Sequence, residues 1–274
     1  MGLQSLQDYT DSSPNFLTKL TNSKQKGNFD SASNVFVVHG DSCYRLFYPE
    51  ITDWICGGQW SELLQNVERF VRTFKQCNSE VVVFLNGSFN DEVLFDWKTR
   101  NAQVREFAKE ILDQMLHRRD VRPKAGAKRC VLPTALKCAL RLALRACEVT
   151  ICSSMEDVYQ ESILYLKDES CSGLIAKDAH YFVYNAPTYV SSDIKITYPK
   201  KAVSNLRAYK WNDILDDLGI SKEMIPIFAT LLGGMFLSHQ ELSSFYWDLI
   251  ADDSPLKKAK VSKQGQFFLE SGFT

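Results

Sequence analysis

The sequence lacks several features that would point directly to a function. Its longest apolar stretches, VVVFL and IPIFATLLGGMFL, are far shorter than the roughly 20 residues that a membrane-spanning helix needs. It has no CxxC pair, no glycine-rich phosphate loop and no GxSxG elbow. It has no excess of either charge, because 32 Lys and Arg face 33 Asp and Glu. These absences argue against a membrane span, a nucleotide-binding loop and a serine hydrolase.

The composition is that of a globular protein. Its 274 residues, 45% of them hydrophobic, are enough for one large α/β domain or two small ones. Eight cysteines without a secretory leader suit reduced thiols in a cytoplasmic or nuclear protein. We therefore expect no disulfide framework and no membrane partner.

Hydrophobic periodicity predicts alternating strands and helices. Short, β-branched runs predict strands at 34–38, 80–85, 148–152 and 173–176. Amphipathic patterns between them predict helices at 58–76, 91–116, 134–147 and 154–168. Alternation of this kind is typical of an α/β fold with a mostly parallel sheet flanked by helices.

The last third of the chain has a different pattern. DIKITYP predicts an edge strand, and a helical part follows over about 205–250, with Ser221 and Ser238 as N-caps. Residues 251–274 are Lys-rich and poorly periodic, so we expect a loosely held tail or a piece of a longer protein. We predict a single domain over residues 1–250.

The stretch LIAKDAHYF places two polar side chains after an apolar strand. If the strand continued, Asp178 and His180 would lie on one face, as alternate residues do. Such a pair indicates either a site at the carboxyl edge of a sheet or a strand end that meets solvent.

One strongly basic segment interrupts the neutral chain, at residues 117–130. It contains Pro and Gly and could follow a phosphate backbone, although a solvated connector explains it as well. The helical segment before it carries further cations, which also suit a salt-bridged solvated face. The candidate nucleic-acid-binding residues are Lys98, Arg100, Arg118, Arg119, Arg122, Lys124, Lys128 and Arg129.

An ordered set of short motifs resembles a known superfamily. MGLQSLQDY, FVVHGDSCYRLF, VVFLNG, SMEDVYQES, IAKDAHYF and FATLLGG together resemble the flap endonuclease/XPG superfamily, whose nuclease domain is PIN-like. Within it, TDWICGGQW, PIFATLLG and LSSFYWDL are most similar to the constitutive coactivator of peroxisome proliferator-activated receptor gamma family. The resemblance covers residues 1 to about 250 and implies a PIN-like fold of the flap endonuclease type.

The resemblance also implies where active relatives hold two divalent metal ions. Two such ions need several carboxylates to offset their mutual repulsion. Of seven ligands expected from the family, only Glu156 and Asp178 stand in place, with Asp41 as a displaced substitute. The resemblance assigns the seven positions to His39, Asn86, Glu156, Val158, Asp178, His180 and Met235.

The shortage of carboxylates predicts a pseudonuclease that acts as a protein-interaction or RNA-binding scaffold. The family's DNA-gripping helix-hairpin-helix is also missing after residue 235. The likeness to the coactivator family implies a role in RNA regulation or transcriptional coactivation. We expect no cofactor beyond at most one weakly bound divalent metal ion. Two alternatives stay open: an assembly subunit that touches no nucleic acid, and a metal-dependent nuclease with a rebuilt site. That site would bind zinc or manganese through His39, Glu156, Asp178 and His180.

Overall fold

The protein is described by a computed structural model. It describes residues 34–49, 58–76, 78–87, 91–117, 132–184 and 211–233, together with 6, 10, 18–20, 52, 186, 189–191, 195–197, 202–204, 206–209, 242 and 245. In that part of the chain, no helix is both long and apolar enough to cross a membrane.

Strands and helices alternate through the first two thirds of the chain. The strands are β1 (Thr18–Leu20), β2 (Val35–His39), β3 (Glu80–Leu85), β4 (Thr150–Ser153), β5 (Gly173–Ala176), β6 (Tyr189–Ser191), β7 (Lys195–Thr197), β8 (Ala202–Ser204) and β9 (Leu206–Tyr209). The helices are α1 (Tyr44–Phe47), α2 (Trp60–Gln76), α3 (Asp91–Leu116), α4 (Leu136–Ala146), α5 (Val158–Asp168), α6 (His180–Val183), α7 (Trp211–Leu218) and α8 (Ile225–Leu231). A 3₁₀ turn, Lys222–Met224, precedes α8.

Four parallel strands form the centre of the sheet, in the order β5, β2, β3, β4. The short strands β6, β9 and β1 continue the sheet beyond β5. β2 and β3 are in register from Val35 opposite Glu80 to His39 opposite Phe84, so their carboxyl ends meet at one edge. The predicted fold class, a mostly parallel sheet flanked by helices, is confirmed.

The core lies between these strands and the helices. Val37, Val38 and Val83 are fully buried, as near-continuous apolar strands covered on both faces require. Helices α2 and α4 pack on each other, while α5 packs on β2, β3 and β5. Phe74 of α2 meets Phe36 of β2 edge to face, with ring centroids 5.4 Å apart. Each fully buried side chain of this size contributes roughly 1.5–3 kcal/mol.

After three of the described helices, a residue other than glycine adopts the left-handed conformation. Asn78, Glu148 and Ser170 have φ values of 53°, 59° and 48°, and each directly follows the last turn of α2, α4 or α5. After α4, the amide of Val149 donates to the carbonyl of Leu144, which satisfies a helix-end acceptor. Because Glu148 turns the chain in this way, β4 begins at Thr150 and not at the predicted residue 148.

Two local predictions near candidate residues are wrong. The helix predicted from residue 154 begins at Val158, because Asp157 is its N-cap and its side chain accepts from the amide of Tyr159. The strand ends at Ala176 as predicted, but Asp178 and His180 do not share a strand face, because His180 begins the short helix α6. Alternation along a strand therefore does not relate Asp178 to His180.

The chain divides into two compact units, which are described separately. The larger consists of residues 19–176 with 190–207, and the other of residues 1–18, 177–189 and 208–274. In the larger unit, DIKITYP contributes β7, which pairs antiparallel with β8 in a separate two-stranded sheet. In the other unit, Phe182 packs edge to face on Tyr209, with centroids 5.5 Å apart.

Several predictions fall outside the described residues. These are the Ser238 cap, most of the basic segment and the tail at 251–274. Ser221 is the N-cap of the 3₁₀ turn, as predicted. The Glu223 carboxylate accepts hydrogen bonds from its own backbone amide and from the Ser221 hydroxyl, and these two bonds lower its pKa.

Candidate functional site

The carboxyl ends of β2, β3 and β4 are joined by short hydrogen bonds from the residues that follow them. The amide of Gly40 donates to the carbonyl of Phe84 at 2.8 Å, and that of Ser154 to the carbonyl of Leu85 at 3.0 Å. Gly87 donates to the Ser154 hydroxyl at 3.1 Å. A Cβ at residue 87 would lie 2.1 Å from the carbonyl oxygen of Ser154, so this close approach of two chain segments requires glycine.

His39, the last residue of β2, is buried; the family resemblance predicts that this position corresponds to a metal-binding aspartate. Its exposed fraction is 2%. Nε2 donates to Oδ1 of Asn86 at 3.2 Å, so the two altered family positions are hydrogen-bonded to each other. The ring also packs edge to face on Tyr159, with centroids 5.5 Å apart. The imidazole is thus held between an amide and an aromatic ring.

Asp41 has both carboxylate oxygens occupied. Oδ2 accepts the backbone amide of Asn86 at 2.6 Å, and Oδ1 lies 2.8 Å from Nζ of Lys137 on α4. The Asp41 side chain is 12% exposed and that of Lys137 is 63% exposed. The lysine therefore places its ammonium group at the edge of the sheet and leaves its stem in solvent. A cationic side chain supplies the counter-charge of this carboxylate.

Glu156 lies in the connection between β4 and α5 and is exposed. Its own amide and that of Met155 donate to the carboxylate of Glu161, each at 2.8 Å. Glu161 thus satisfies amides that precede the helix, as an acidic group near a helix N-terminus commonly does. The sequence analysis singled out Glu156 and did not identify Glu161.

Helix α4 presents a second cation to the same edge. Arg141, one turn beyond Lys137, donates from Nη2 to the hydroxyl of Ser153 at the end of β4, at 3.2 Å. On β4 itself, burial and then the charge of Glu161 raise the pKa of the Cys152 thiol, so it stays protonated at neutral pH. The four-residue spacing of Lys137 and Arg141 on an amphipathic helix is a signal that the sequence contained, but nothing local indicated Asp41 as a partner.

Asp178 and His180 belong to the other unit and form a local pair. Oδ1 of Asp178 accepts the backbone amide of His180 at 3.0 Å and lies 2.7 Å from its Nδ1. The carboxylate therefore caps the first turn of α6 and orients the imidazole. The pair is adjacent because the chain turns into a helix and not because the two residues share a strand face.

The remaining predicted residues divide into those on α3 and those outside the described residues. Lys98 is exposed on α3, and Arg100 lies on the same helix. The residues outside are Arg118, Arg119, Arg122, Lys124, Lys128, Arg129 and Met235. Among the residues that the structure does describe, no three His, Cys, Asp or Glu side chains form a group that could hold a metal ion.

The fold is that of the flap endonuclease/XPG class of nucleases. The chain superimposes on the catalytic core of Rad2 in complex with DNA substrate with a TM-score of 0.54 and 12% identity, covering 96% of this chain and 78% of that one. It superimposes on human GEN1 in complex with Holliday junction DNA with a TM-score of 0.51 and 12% identity, covering 93% and 57% of the two chains. At such low identity the likeness concerns the fold alone.

Sequence relatives narrow the likeness: the chain is similar to the constitutive coactivator of PPAR-gamma-like proteins. It is 30% identical to human and mouse constitutive coactivator of PPAR-gamma-like protein 1 over 227 residues, 82% of this chain and 20% of each relative. It is 24% identical to the human constitutive coactivator of peroxisome proliferator-activated receptor gamma, over 98% of this chain and 29% of that protein. The model of the FAM120A-like domain matches residues 218–270. These relatives confirm the family resemblance of the motifs, and the chain spans about a fifth of the length of the first of them.

Proposed function

We propose that this chain is a pseudonuclease that acts as a protein-interaction and RNA-binding scaffold in RNA regulation or transcriptional coactivation. One observation carries the inactive part of the proposal. At the strand edge, Asp41 is ion-paired with Lys137 at 2.8 Å and accepts the Asn86 amide at 2.6 Å. The carboxylate that could replace a missing metal ligand is already bound to other groups.

The local charge supports this proposal. In the larger unit the edge contains the Asp41 carboxylate, the Lys137 ammonium, the neutral amide of Asn86 and the His39 ring. The carboxylate and ammonium charges cancel, Arg141 adds a second cation at the end of β4, and the Glu161 carboxylate beyond β4 is bonded to two backbone amides. Two magnesium ions at such an edge would need several anionic oxygens, and an added ammonium group would repel them. The residues present therefore do not fit a pair of magnesium ions, and we assign no catalytic step to such a pair.

The scaffold part rests on the relatives and on local positive charge. The homologues carry the name of coactivators, which suits protein partners and nuclear action. Solved structures with this fold are described in complex with DNA, which suits a nucleic-acid surface. In this chain, the exposed Lys98 and the basic segment after α3 supply cations for phosphate contacts.

A nuclease assay tests the inactive part. The purified protein is incubated with flap DNA, single-stranded DNA and RNA in magnesium, manganese or zinc, beside an active flap endonuclease as positive control. We expect intact substrates in all three metals. Cleavage that is lost in Asp178→Ala and in Glu156→Ala, both at exposed or half-buried positions, would overturn the proposal and establish a rebuilt metal site. A pull-down with and without ribonuclease then separates protein partners from RNA-bridged ones.

A further inference from the structure

Helix α3 has a repeating apolar seam along its length. It is 26 residues long, or about 39 Å at 1.5 Å per residue. Intervals of three and four residues alternate along one stripe, which is the heptad spacing of a helix that packs on another helix. We define the seam as Leu94, Trp97, Asn101, Val104, Ala108, Ile111 and Met115. Six of these seven side chains are apolar, and Asn101 donates to the carbonyl of Trp97 at 2.8 Å.

Much of the seam is exposed. Trp97, Val104 and Met115 have exposed fractions of 43%, 47% and 38%, and the flanking Leu112 is 59% exposed. Ile111 is the seam residue with the smallest exposure, at 8%. A row of exposed large apolar side chains on one helix face is uncommon on a monomeric surface and marks an interaction site. The spacing of the row fits a partner helix, because helices meet through such stripes.

The charges beside the seam indicate the chemistry of the partner. Lys98 and Arg105 are exposed and seven residues apart, so they flank the seam on the side that Leu112 continues. Lys109 lies one turn beyond Arg105 on the same flank, and it pairs with the exposed Glu106 at 3.9 Å. The flank is therefore cationic, whereas the exposed Glu106, Glu110 and Asp113 make the outer face acidic. Two copies of α3 packed antiparallel would bring the cations of this flank together, which disfavours self-association in that arrangement.

We propose that the α3 seam docks an amphipathic helix of another protein whose flanking positions are acidic. The apolar seam supplies the buried contact, and Lys98 and Arg105 select for carboxylates beside it. This inference goes beyond the scaffold function, since it holds whether or not the sheet edge cleaves nucleic acid. Its test is independent of the nuclease assay.

Two synthetic three-heptad peptides serve as probes. Both have Leu at the a and d positions, and they differ only in carrying Glu or Lys at the e and g positions. Fluorescence anisotropy of the labelled peptides measures their binding to the full chain. We expect the Glu peptide to bind about tenfold more tightly than the Lys peptide, and Val104→Glu to weaken its binding by at least about tenfold. Glu110→Lys, a charge change of the same size on the exposed outer face, is the matched control and leaves the binding unchanged.

A charge swap makes the test specific. In the double variant Lys98→Glu and Arg105→Glu, the preference should reverse toward the Lys peptide, which simple hydrophobic adhesion does not predict. Circular dichroism confirms that each variant is folded, as expected for substitutions at exposed positions. Equal binding of the two peptides, or no binding, would overturn the proposal. So would a dimer of the chain that Val104→Glu dissociates, or single-stranded RNA that binds in a Trp97-dependent manner while neither peptide binds.

Discussion

At the edge of the central sheet, polar side chains that are far apart in the sequence bind one another. Asp41 receives a hydrogen bond from the Asn86 amide and an ion pair from Lys137, while the imidazole of His39 donates to the Asn86 side chain. These contacts engage both carboxylate oxygens of Asp41, the backbone amide and side-chain oxygen of Asn86, and Nε2 of His39. They stabilise the edge, because a buried polar group that is hydrogen-bonded avoids most of the desolvation cost that an unbonded one carries.

Removal of Asp41 should destabilise the protein more than removal of Lys137. Asp41→Ala leaves the Asn86 amide without its acceptor and should lower the free energy of unfolding by about 1–2 kcal/mol. Lys137→Ala removes a pair in which the lysine is 63% exposed, so a loss below about 1 kcal/mol is expected. Urea denaturation measures both single variants and the double variant.

The double-mutant cycle decides whether the ion pair itself contributes. A coupling energy of about 0.5 kcal/mol or more between Asp41 and Lys137 is expected for residues in direct contact. Arg145→Ala, which removes an exposed cation from the same helix, is the matched control and should show no coupling to Asp41. Additive effects of Asp41→Ala and Lys137→Ala would mean that the pair does not stabilise the edge.

At the scale of helices and strands, the strained backbone conformations of the described residues lie just after the C-terminal ends of helices. Glu148 and Ser170 adopt left-handed conformations that cost an L-residue roughly 1–2 kcal/mol and that glycine adopts freely. Gly219 occupies the equivalent position after α7, with φ of 63°, and the amide of Ile220 donates to the carbonyl of Leu215 there as Val149 does to Leu144 after α4. The same C-terminal motif is thus built with glycine once and with other residues elsewhere.

Glu148→Gly should therefore stabilise the protein. The variant relieves the strain of a positive φ at an exposed residue, and the greater freedom of glycine in the unfolded chain offsets part of the gain. We expect an increase of about 0.5–1 kcal/mol in the free energy of unfolding, measured by urea denaturation. Gly219→Ala, where a Cβ would meet no neighbour within 4 Å, should be destabilised by the conformational strain alone. A loss of stability in Glu148→Gly would show that its side chain makes a contact worth more than the strain.

The elements that the sequence predicted well are those that a single local pattern determines. The strands at 80–85 and 173–176 and the helix at 91–116 have the predicted bounds, because each is a continuous run with one clear periodicity. Boundaries shifted where one residue acts as a cap, at Glu148 and Asp157. The partners of the site were not predictable, since Asp41 and Lys137 are 96 residues apart and only the parallel sheet brings them together.

At the scale of the whole molecule, the positive charge is concentrated in one part of a nearly neutral chain. Residues 117–147 contain nine Lys and Arg and one Asp, a net charge of +8, whereas the complete chain has −1. Lys137 and Arg141, at the end of this segment, hydrogen-bond to groups at the carboxyl edge of the sheet. Two cations of this segment thus lie at that edge, and we expect any phosphate backbone to contact the segment.

If the chain binds single-stranded RNA, neutralising four of these cations should weaken that binding and flatten its salt dependence. Each lost phosphate contact reduces the slope of log K against log salt by about 0.7 for a single strand. The substitutions are Arg118→Gln, Arg119→Gln, Lys128→Gln and Arg129→Gln, combined in one variant. Fluorescence anisotropy with RNAs of different sequence, titrated at several salt concentrations, should show a similar loss for every RNA, because phosphate contacts carry no sequence information.

A control with the same loss of charge separates a local contact from a general effect. Arg72, Lys75, Lys167 and Lys222 are exposed cations outside this segment, so their combined change to Gln removes four charges from other surfaces. Long-range attraction would weaken in both variants, but the salt slope depends on the number of phosphates contacted and should fall only in the first. Equal slopes in the two variants would place the RNA elsewhere, and α3 with its exposed Lys98 and Arg105 would then be the next surface to neutralise.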